Sequence, residues 1–324
     1  MKSLPDQEIP LNIWQVSGGP KNRSYSDVFL RFGVGLIGSG DPGPWRPDRP
    51  DKEFGGSYVR RFATLPQIGD VILLRTGVSV VKAIGLVASP YQYLPQFDDV
   101  NGWDLQHALR IRWSVLPEEY NFGVSVFGSY PSRFSRVNHL GVEDYAKRYV
   151  KSPPTRWQTA DLPTLPQEEP FIECVPDFLQ GLVAQVQDLS SLYWDRRRFG
   201  EHPGEDEFVA HYVVPFLRAL NWPVECIAVK WRHIDVCVFQ SLPRTAENSV
   251  FIIEAKRMGQ GIEGALAQAK RYLKEIGVSR DVVVTDGIRY RMYDALHGFI
   301  PIAYANLTYL KSSALRLFER MKRS

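Results

Sequence analysis

A chain of 324 residues is long enough for two domains. Its composition, 44% hydrophobic and 23% charged, is that of a soluble globular protein. No apolar run nears the ~18–20 residues of a membrane helix, and the opening MKSLPDQEIP lacks the apolar core of a signal peptide, so we expect a cytoplasmic protein with no membrane partner. A net charge of +3 is too small to establish nucleic-acid binding, and local clusters carry that question instead.

Residues 11 to about 150 hold many aromatics and glycines, with short strand-like runs between turns. LNIWQVSGG begins as a strand and ends in a glycine pair. VFLRFGVGLIGSGDPGPW is apolar and breaks between Gly38 and Pro44. QIGDVILLRTG reads as turn, strand, turn, and VVKAIGLVASPY as a strand ending at Ser89-Pro90. HALRIRWSVLP alternates Leu109, Ile111 and Trp113 against Arg110 and Arg112. Several short strands at close spacing point to a small barrel. The order of Trp14, Gly69-Asp70-Val71-Ile72, Ala83-Ile84-Gly85-Leu86-Val87 and Ile111-Arg112-Trp113 resembles the EVE branch of the PUA-like fold. That resemblance implies a reader of modified bases or an RNA binder over residues 1–150. Reading a single base requires flipping it out against aromatic walls and polar groups. Trp45, Tyr91, Tyr93 and Trp103 lie in loops, where packing and pocket-lining are the alternatives, while Ser17, Gly18, Gly19 and Asn22 follow the first strand and offer polar contacts. Trp14 and Trp113 are expected in the core.

Residues 151–185 are rich in Pro, Thr and Gln without apolar period, as a linker would be. The stretch PDFLQGLVAQVQDLSSLYW then carries a helical stripe at Phe178, Leu179, Leu182, Val183 and Val186, leading into a second domain, 186–324. Arg196-Arg197-Arg198, the Lys270, Arg271 and Lys274 group and the tail LRLFERMKRS would attract phosphate; each alone is equally a solvated basic face. Cys174, Cys226 and Cys237 have no metal-ligand spacing and read as reduced, buried thiols.

Glu207 opens a helix, EFVAHYVVPFLRALNWP. Residues 233–240 then alternate, with Ile234, Val236 and Val238 on one face and Asp235, Cys237 and Phe239 on the other. Val250 to Ile253 is a continuous apolar run, as in a buried strand. Charge appears where that run should stay apolar, at Glu254 and Lys256, which share a face by the period of two. If Asp235 lies on the neighbouring strand, the two carboxylates and the lysine converge. Paired carboxylates with room for water suit Mg²⁺, with Mn²⁺ as a substitute; such an ion polarises a phosphoryl oxygen and acidifies water, and a lysine can stabilise charge at the phosphate. Gly261 to Ile276 reads as an amphipathic helix capped by Gly277. On it Gln268 and Tyr272 stand one turn apart on one face. DVVVTDGIRYRMYD reads as strand, turn at Asp286-Gly287, strand.

Asp235 followed by Glu254-Ala255-Lys256 resembles the PD-(D/E)XK nuclease superfamily, with His233-Ile234 standing where a proline is usual. Gln268-x-x-x-Tyr272 is similar to the extra motif of its RecB-like branch. Pro215-Phe216-Leu217…Leu220-Asn221-Trp222 after Glu207 resembles the first helix of the nuclease domain in type I restriction subunits. The resemblance implies catalytic roles for Glu207, Asp235, Glu254, Lys256, Gln268 and Tyr272, with Asp235 and Glu254 holding the metal. An ordinary α/β domain with a partly exposed ion pair on a strand is the plain alternative.

The fold class expected is therefore α+β and α/β, an N-terminal PUA/EVE-like small barrel with helices joined to a C-terminal mixed-sheet core flanked by helices. No Walker-type glycine motif and no methyltransferase motif occur, so no ATP is expected. A nuclease without a protecting methylase must spare host DNA another way, and reading a foreign modification does that. The expected activity is that of a type IV, modification-dependent restriction endonuclease cutting double-stranded DNA that carries modified cytosine. A nuclease acting on RNA or unmodified DNA, and a binding module with an inactive core, are the alternatives. Two cuts on a duplex need two active sites, which makes a homodimer a candidate assembly.

Overall fold

The structure, a computed structural model, describes residues 12–20, 24–38, 40, 43–100, 102–129, 132–151, 162–167, 180–194, 204–257 and 261–323. By contact the chain divides into two compact units. The first comprises residues 1–38, 43–101 and 105–166; the second comprises 167–324 together with 39–42 and 102–104. The division at 166 falls inside the stretch read as a linker, most of which lies outside the described residues. Among the described residues no helix is long and apolar enough to cross a membrane.

The first unit is a curled sheet with helices. In chain order it contains β1 (Ile13–Ser17), α1 (Ser26–Phe32), β2 (Val34–Ile37), α2 (Tyr58–Thr64), β3 (Val71–Thr76), β4 (Val80–Val87), β5 (Gln92–Tyr93), β6 (His107–Asn121), β7 (Phe134–Arg136) and α3 (Leu140–Lys151). The sheet order is β2-β6-β4-β3-β1-β7, with β5 also on β6. β1 and β3 are parallel, Ile13 opposite Val71. The long β6 serves two partners: residues 107–110 pair with β2, and residues 111–121 with β4. That hand-over lets the sheet curl.

Two of the sequence signals acquire a physical cause. Asp70 is buried and accepts hydrogen bonds from Trp14 Nε1 (2.8 Å), Asn12 Nδ2 (3.2 Å) and the Gln67 N–H (2.9 Å), so it locks the start of β3 to β1. At Gly85 a Cβ would come within 2.3 Å of Ile111 Cγ2 and 2.7 Å of Trp113 Cε3, so only glycine lets β4 lie across that tryptophan. Trp14 and Trp113 are both core, as expected. The apolar stretch before Gly38 folds as α1, a left-handed Gly33 at φ +58° that ends it, and β2. Short runs of apolar residues do not distinguish buried helix from strand.

The second unit is a mixed sheet between helices, comprising α4 (Gln180–Trp194), α5 (205–219), β8 (Ile227–Trp231), β9 (Ile234–Phe239), β10 (Ser249–Ala255), α6 (Glu263–Ile276), β11 (Asp281–Thr285), β12 (Arg289–Asp294), β13 (Ile300–Asn306) and α7 (Ala314–Met321). The sheet order is β13-β12-β11-β10-β9-β8. β10 and β11 are parallel, and α6 is the crossover between them; every other pair is antiparallel. Cys237, Phe239, Ile252 and Val284 pack under Ala265, Ala269 and Leu273 of α6. Val236, Val238, Phe251 and Ile253 pack on the opposite side with α4, α5 and α7. Ile234, expected beside Val236, packs instead in the layer beneath α6, where the strand leaves its hairpin turn.

Helix α5 is continuous but irregular. An α turn, Glu205–Phe208, passes into a π segment, Val209–Val213, before the α segment Val214–Ala219. Pro215 explains this: it has no N–H for the preceding turn and its ring crowds the carbonyl four residues back, and a widened turn relieves both. The helix ends at Asn221, which takes the left-handed conformation at φ +68°. Asparagine is the non-glycine residue that tolerates this best. Trp222 then turns into the core and donates from Nε1 to the Met321 carbonyl at 2.6 Å.

Candidate active site

The β9–β10 ladder pairs Ile253 with Val236. One step further the register sets Glu254 opposite Asp235, on the face that α6 covers. Both carboxylates are buried, Asp235 at 5% and Glu254 at 1% exposure. Asp235 Oδ2 accepts the Ala255 N–H at 2.8 Å, which ties the carboxylate to the strand that carries Glu254. Its Oδ1 lies 2.7 Å from Lys230 Nζ. Glu254 Oε1 lies 3.1 Å from Lys256 Nζ, whereas Glu254 Oε2 is buried with no hydrogen-bond partner.

From α6, Gln268 meets the lysine: Lys256 Nζ donates to Gln268 Oε1 (3.2 Å), and Gln268 Nε2 donates to Tyr272 Oη (3.0 Å). The five residues Asp235, Glu254, Lys256, Gln268 and Tyr272, singled out by the motif resemblance, are thus linked from β9, through the Ala255 N–H, to β10 and α6. Glu207 does not join it. It is exposed, and its Oε2 accepts the Gly204 N–H at 2.9 Å, closing the first turn of α5 as a capping residue. The acids of that turn that reach the site are its neighbours. Asp206 Oδ1 lies 3.0 Å from Lys230 Nζ, and the charge of Glu205 is felt at Glu254.

Burial pushes the Glu254 carboxyl up to about 7, with Asp235 adding to the rise and Lys256 opposing it. The Lys230 ammonium is held firmly charged, chiefly by its hydrogen bond to Asp235 and then by Asp206. Lys230, Glu205 and Asp206 escaped the sequence reading. An exposed lysine on a short strand and acids in a first helical turn are common for structural reasons. Only the backbone explains the lysine: Lys230 sits at φ +54°, outside the strand region, in a distorted β8 just before a tight hairpin.

Among the described residues no cluster of three or more His, Cys, Asp or Glu is arranged to hold a metal ion. Asp235 and Glu254 still suit a hard divalent cation, because Glu254 Oε2 is a buried oxygen without a donor beside a second carboxylate. Cys226 and Cys237 are buried free thiols, and burial pushes Cys237 up to about 12; Cys174 lies outside the described residues.

In the first unit the Trp45 N–H donates to Tyr91 Oη at 3.0 Å, and the Tyr91 hydroxyl lies 2.8 Å from His107 Nδ1. His107 also touches Tyr91 face to face and Tyr93 and Phe54 edge-on. Burial, and then Arg49, push His107 down to about 3, so its ring is neutral and Nδ1 can accept from Tyr91. Trp45 is half-buried, with its Nε1 buried and without a hydrogen-bond partner. Ser17 Oγ accepts the Gly19 N–H at 3.3 Å. Trp103 is half-buried and groups by contact with the second unit. Asn22 and Arg196-Arg197-Arg198 lie outside the described residues. Lys270 lies over the Phe299 ring, and Arg271 over that of Tyr272.

No protein-family model and no curated protein matches the chain.

Proposed function

We propose that this chain is a metal-dependent endonuclease of the PD-(D/E)XK type whose first unit, an EVE/PUA-like domain, selects double-stranded DNA carrying modified cytosine. The observation that carries the nuclease half is Glu254 Oε2: a buried, unpartnered carboxylate oxygen opposite Asp235, with Lys256 beside it. Such an oxygen costs free energy unless something fills it. Asp235 and Glu254 would hold Mg²⁺ or Mn²⁺, which when bound supplies charge stabilisation at a phosphate and an acidified water. Lys256 supplies a fixed positive charge toward the scissile phosphate, and Gln268, held by Tyr272, fixes the direction of that ammonium. Asp206 replaces Glu207 as the acid of α5 that bears on the site.

For the first unit, support comes from the order of its strand motifs and from the Trp45–Tyr91–His107 chain, a set of aromatic and polar groups of the kind that encloses a flipped base. A cytosolic, restriction-type role follows from pairing such a reader with a nuclease core.

A second reading, a binding module that does not cut, is favoured by Lys230, whose ammonium already neutralises Asp235 and Asp206. One experiment separates them. Matched plasmids bearing unmodified, methylated, hydroxymethylated or glucosylated cytosine are incubated with the full chain, with Mg²⁺ or with chelator. Cleavage of one modified plasmid in Mg²⁺ alone is expected. Retention of DNA without cleavage in Mg²⁺ and Mn²⁺ would establish the binding module.

A further inference from the structure

Two lysines stand at the candidate site of the second unit, and they are held differently. Lys256 is 17% exposed, and its ammonium is shared by Glu254 Oε1 at 3.1 Å and Gln268 Oε1 at 3.2 Å, with Tyr272 holding Gln268 in turn. Lys230 is 47% exposed and lies on β8, the last strand of the sheet. Its head meets Asp235 Oδ1 at 2.7 Å and Asp206 Oδ1 at 3.0 Å, and among the described residues it has no other polar partner.

The two grips on Lys230 are unequal. Asp235 is buried, and its Oδ2 accepts the Ala255 N–H, so that carboxylate is fixed to β10. Asp206 is 80% exposed, and an ion pair between two exposed groups contributes little. Lys230 therefore depends on Asp235 Oδ1, the oxygen of that carboxylate that faces no backbone donor. An ammonium and a divalent cation repel each other across one carboxylate oxygen. A cation on Asp235 would leave Lys230 to Asp206 alone, on a flexible stem. A freed ammonium is a mobile point charge, suited to a phosphate of the DNA backbone.

We propose that Lys230 is a phosphate contact that Asp235 keeps out of use and a divalent cation releases. In chelator Lys230 neutralises Asp235 and Asp206; with the cation bound it grips the DNA backbone, so the cation governs the hold on DNA as well as the chemistry. This rests on the nuclease reading of the second unit and adds a regulation to it. Lys256, tied on both sides, is the fixed charge; Lys230 is the movable one.

Salt titrations of DNA binding by the full chain test it. Fluorescence anisotropy follows a labelled unmodified duplex and its hydroxymethylcytosine twin, in chelator and in Ca²⁺, at times when a gel shows the duplex intact. Calorimetry with Ca²⁺ and with Mn²⁺, without DNA, measures cation binding. Lys230→Gln removes the charge but keeps a donor for Asp235, and Lys230→Arg keeps the charge. In Ca²⁺ the plot of log affinity against log salt should be shallower for Lys230→Gln than for wild type by about 0.9, the slope of one phosphate contact, on both duplexes alike. In chelator the two slopes should coincide, and Lys230→Arg should follow wild type throughout. The wild-type slope should itself steepen from chelator to Ca²⁺; an unchanged slope overturns the proposal whether or not the variants fold. It is also overturned if Lys230→Gln matches wild type in Ca²⁺, if the two already differ as much in chelator, or if Lys230→Arg behaves as Lys230→Gln. Any of these results together with heat from cation binding sinks the release of Lys230 and leaves the nuclease reading standing. No heat with Ca²⁺ or Mn²⁺ removes the cation site, and both fall together.

Discussion

Lys230 Nζ lies 2.7 Å from Asp235 Oδ1 and 3.0 Å from Asp206 Oδ1, so one ammonium joins a buried strand carboxylate to an exposed helix carboxylate. A bound divalent cation would compete for the same oxygens. Lys230→Met should therefore lower the melting temperature in chelator, because buried Asp235 loses its cation at a cost of roughly 1–3 kcal/mol. The same variant should bind Mn²⁺ more tightly in calorimetry. Equal Mn²⁺ affinity in variant and wild type would show that ammonium and metal do not share Asp235.

Glu254 makes stability depend on pH. Its folded value of about 7 lies above its ordinary 4.5, so between those values the folded chain binds more protons than the unfolded one. Stability from this group is thus present below the lower value, falls as pH rises through the interval, and stays reduced above it. Glu254→Gln removes the penalty. In chelator its melting temperature should exceed that of wild type at pH 8, with the gap closing at pH 5. Each kcal/mol should appear as about 2–4 °C. A gap independent of pH would mean that Glu254 titrates normally.

The cleavage series follows the contact chain. Asp235→Ala and Glu254→Ala should abolish cutting while DNA retention in a gel-shift persists, since each removes a carboxylate and leaves the basic groups in place. Lys256→Ala should lose most activity. Gln268→Ala should be milder, about 10–100-fold in single-turnover rate, as expected for a group that orients another. Glu207→Ala should cut at near wild-type rate and cost about 1 kcal/mol of stability through its cap. A Glu207 variant as inactive as the Asp235 one would put that acid back in the site.

At Gly287, φ is +90°, and a Cβ there would stand 2.6 Å from the Phe208 ring. Gly287→Ala should destabilise by roughly 2–3 kcal/mol, by overpacking a core that cannot relax, and denaturant unfolding would measure it. A smaller cost would show that Phe208 can swing away.

The candidate site was legible in two ways: Glu254 and Lys256 put charge at the end of an apolar strand, whereas Gln268 and Tyr272 were singled out only through the motif they resemble. Asp235, Glu254, Lys256, Gln268 and Tyr272 lie together once β9 pairs with β10 and α6 crosses over them. Glu207 and Asp206 are neighbours in one helical turn, and sequence cannot tell which of them caps and which pairs with Lys230; that depends on where the helix begins. Lys230 was invisible for a related reason, since its aim comes from a backbone distortion. In the first unit, Gly85 and Asp70 were legible as motifs, yet their causes, a tryptophan crossing and a three-donor carboxylate, needed the fold. Helices α1 and α2 are too short, at seven residues each, to establish a period.

The hairpin between β8 and β9 pairs Trp231 with Ile234 across just Arg232 and His233, both left-handed at φ +48° and +71°. A two-residue turn of this kind is the mirror-image type that asparagine and glycine form most readily. Arg232→Asn/His233→Gly should accordingly raise stability by about 0.5–1 kcal/mol in denaturant unfolding, and an unchanged midpoint would show that the present turn carries no strain. The same geometry makes the turn a ruler. With a side-chain period of two, one added or deleted residue between Trp231 and Asp235 would rotate the carboxylate to the far side of the sheet, among Val236 and Val238. Substitution in this loop is therefore tolerable, whereas a change in its length would part the Asp235 carboxylate from Glu254 without altering any of the groups in the site.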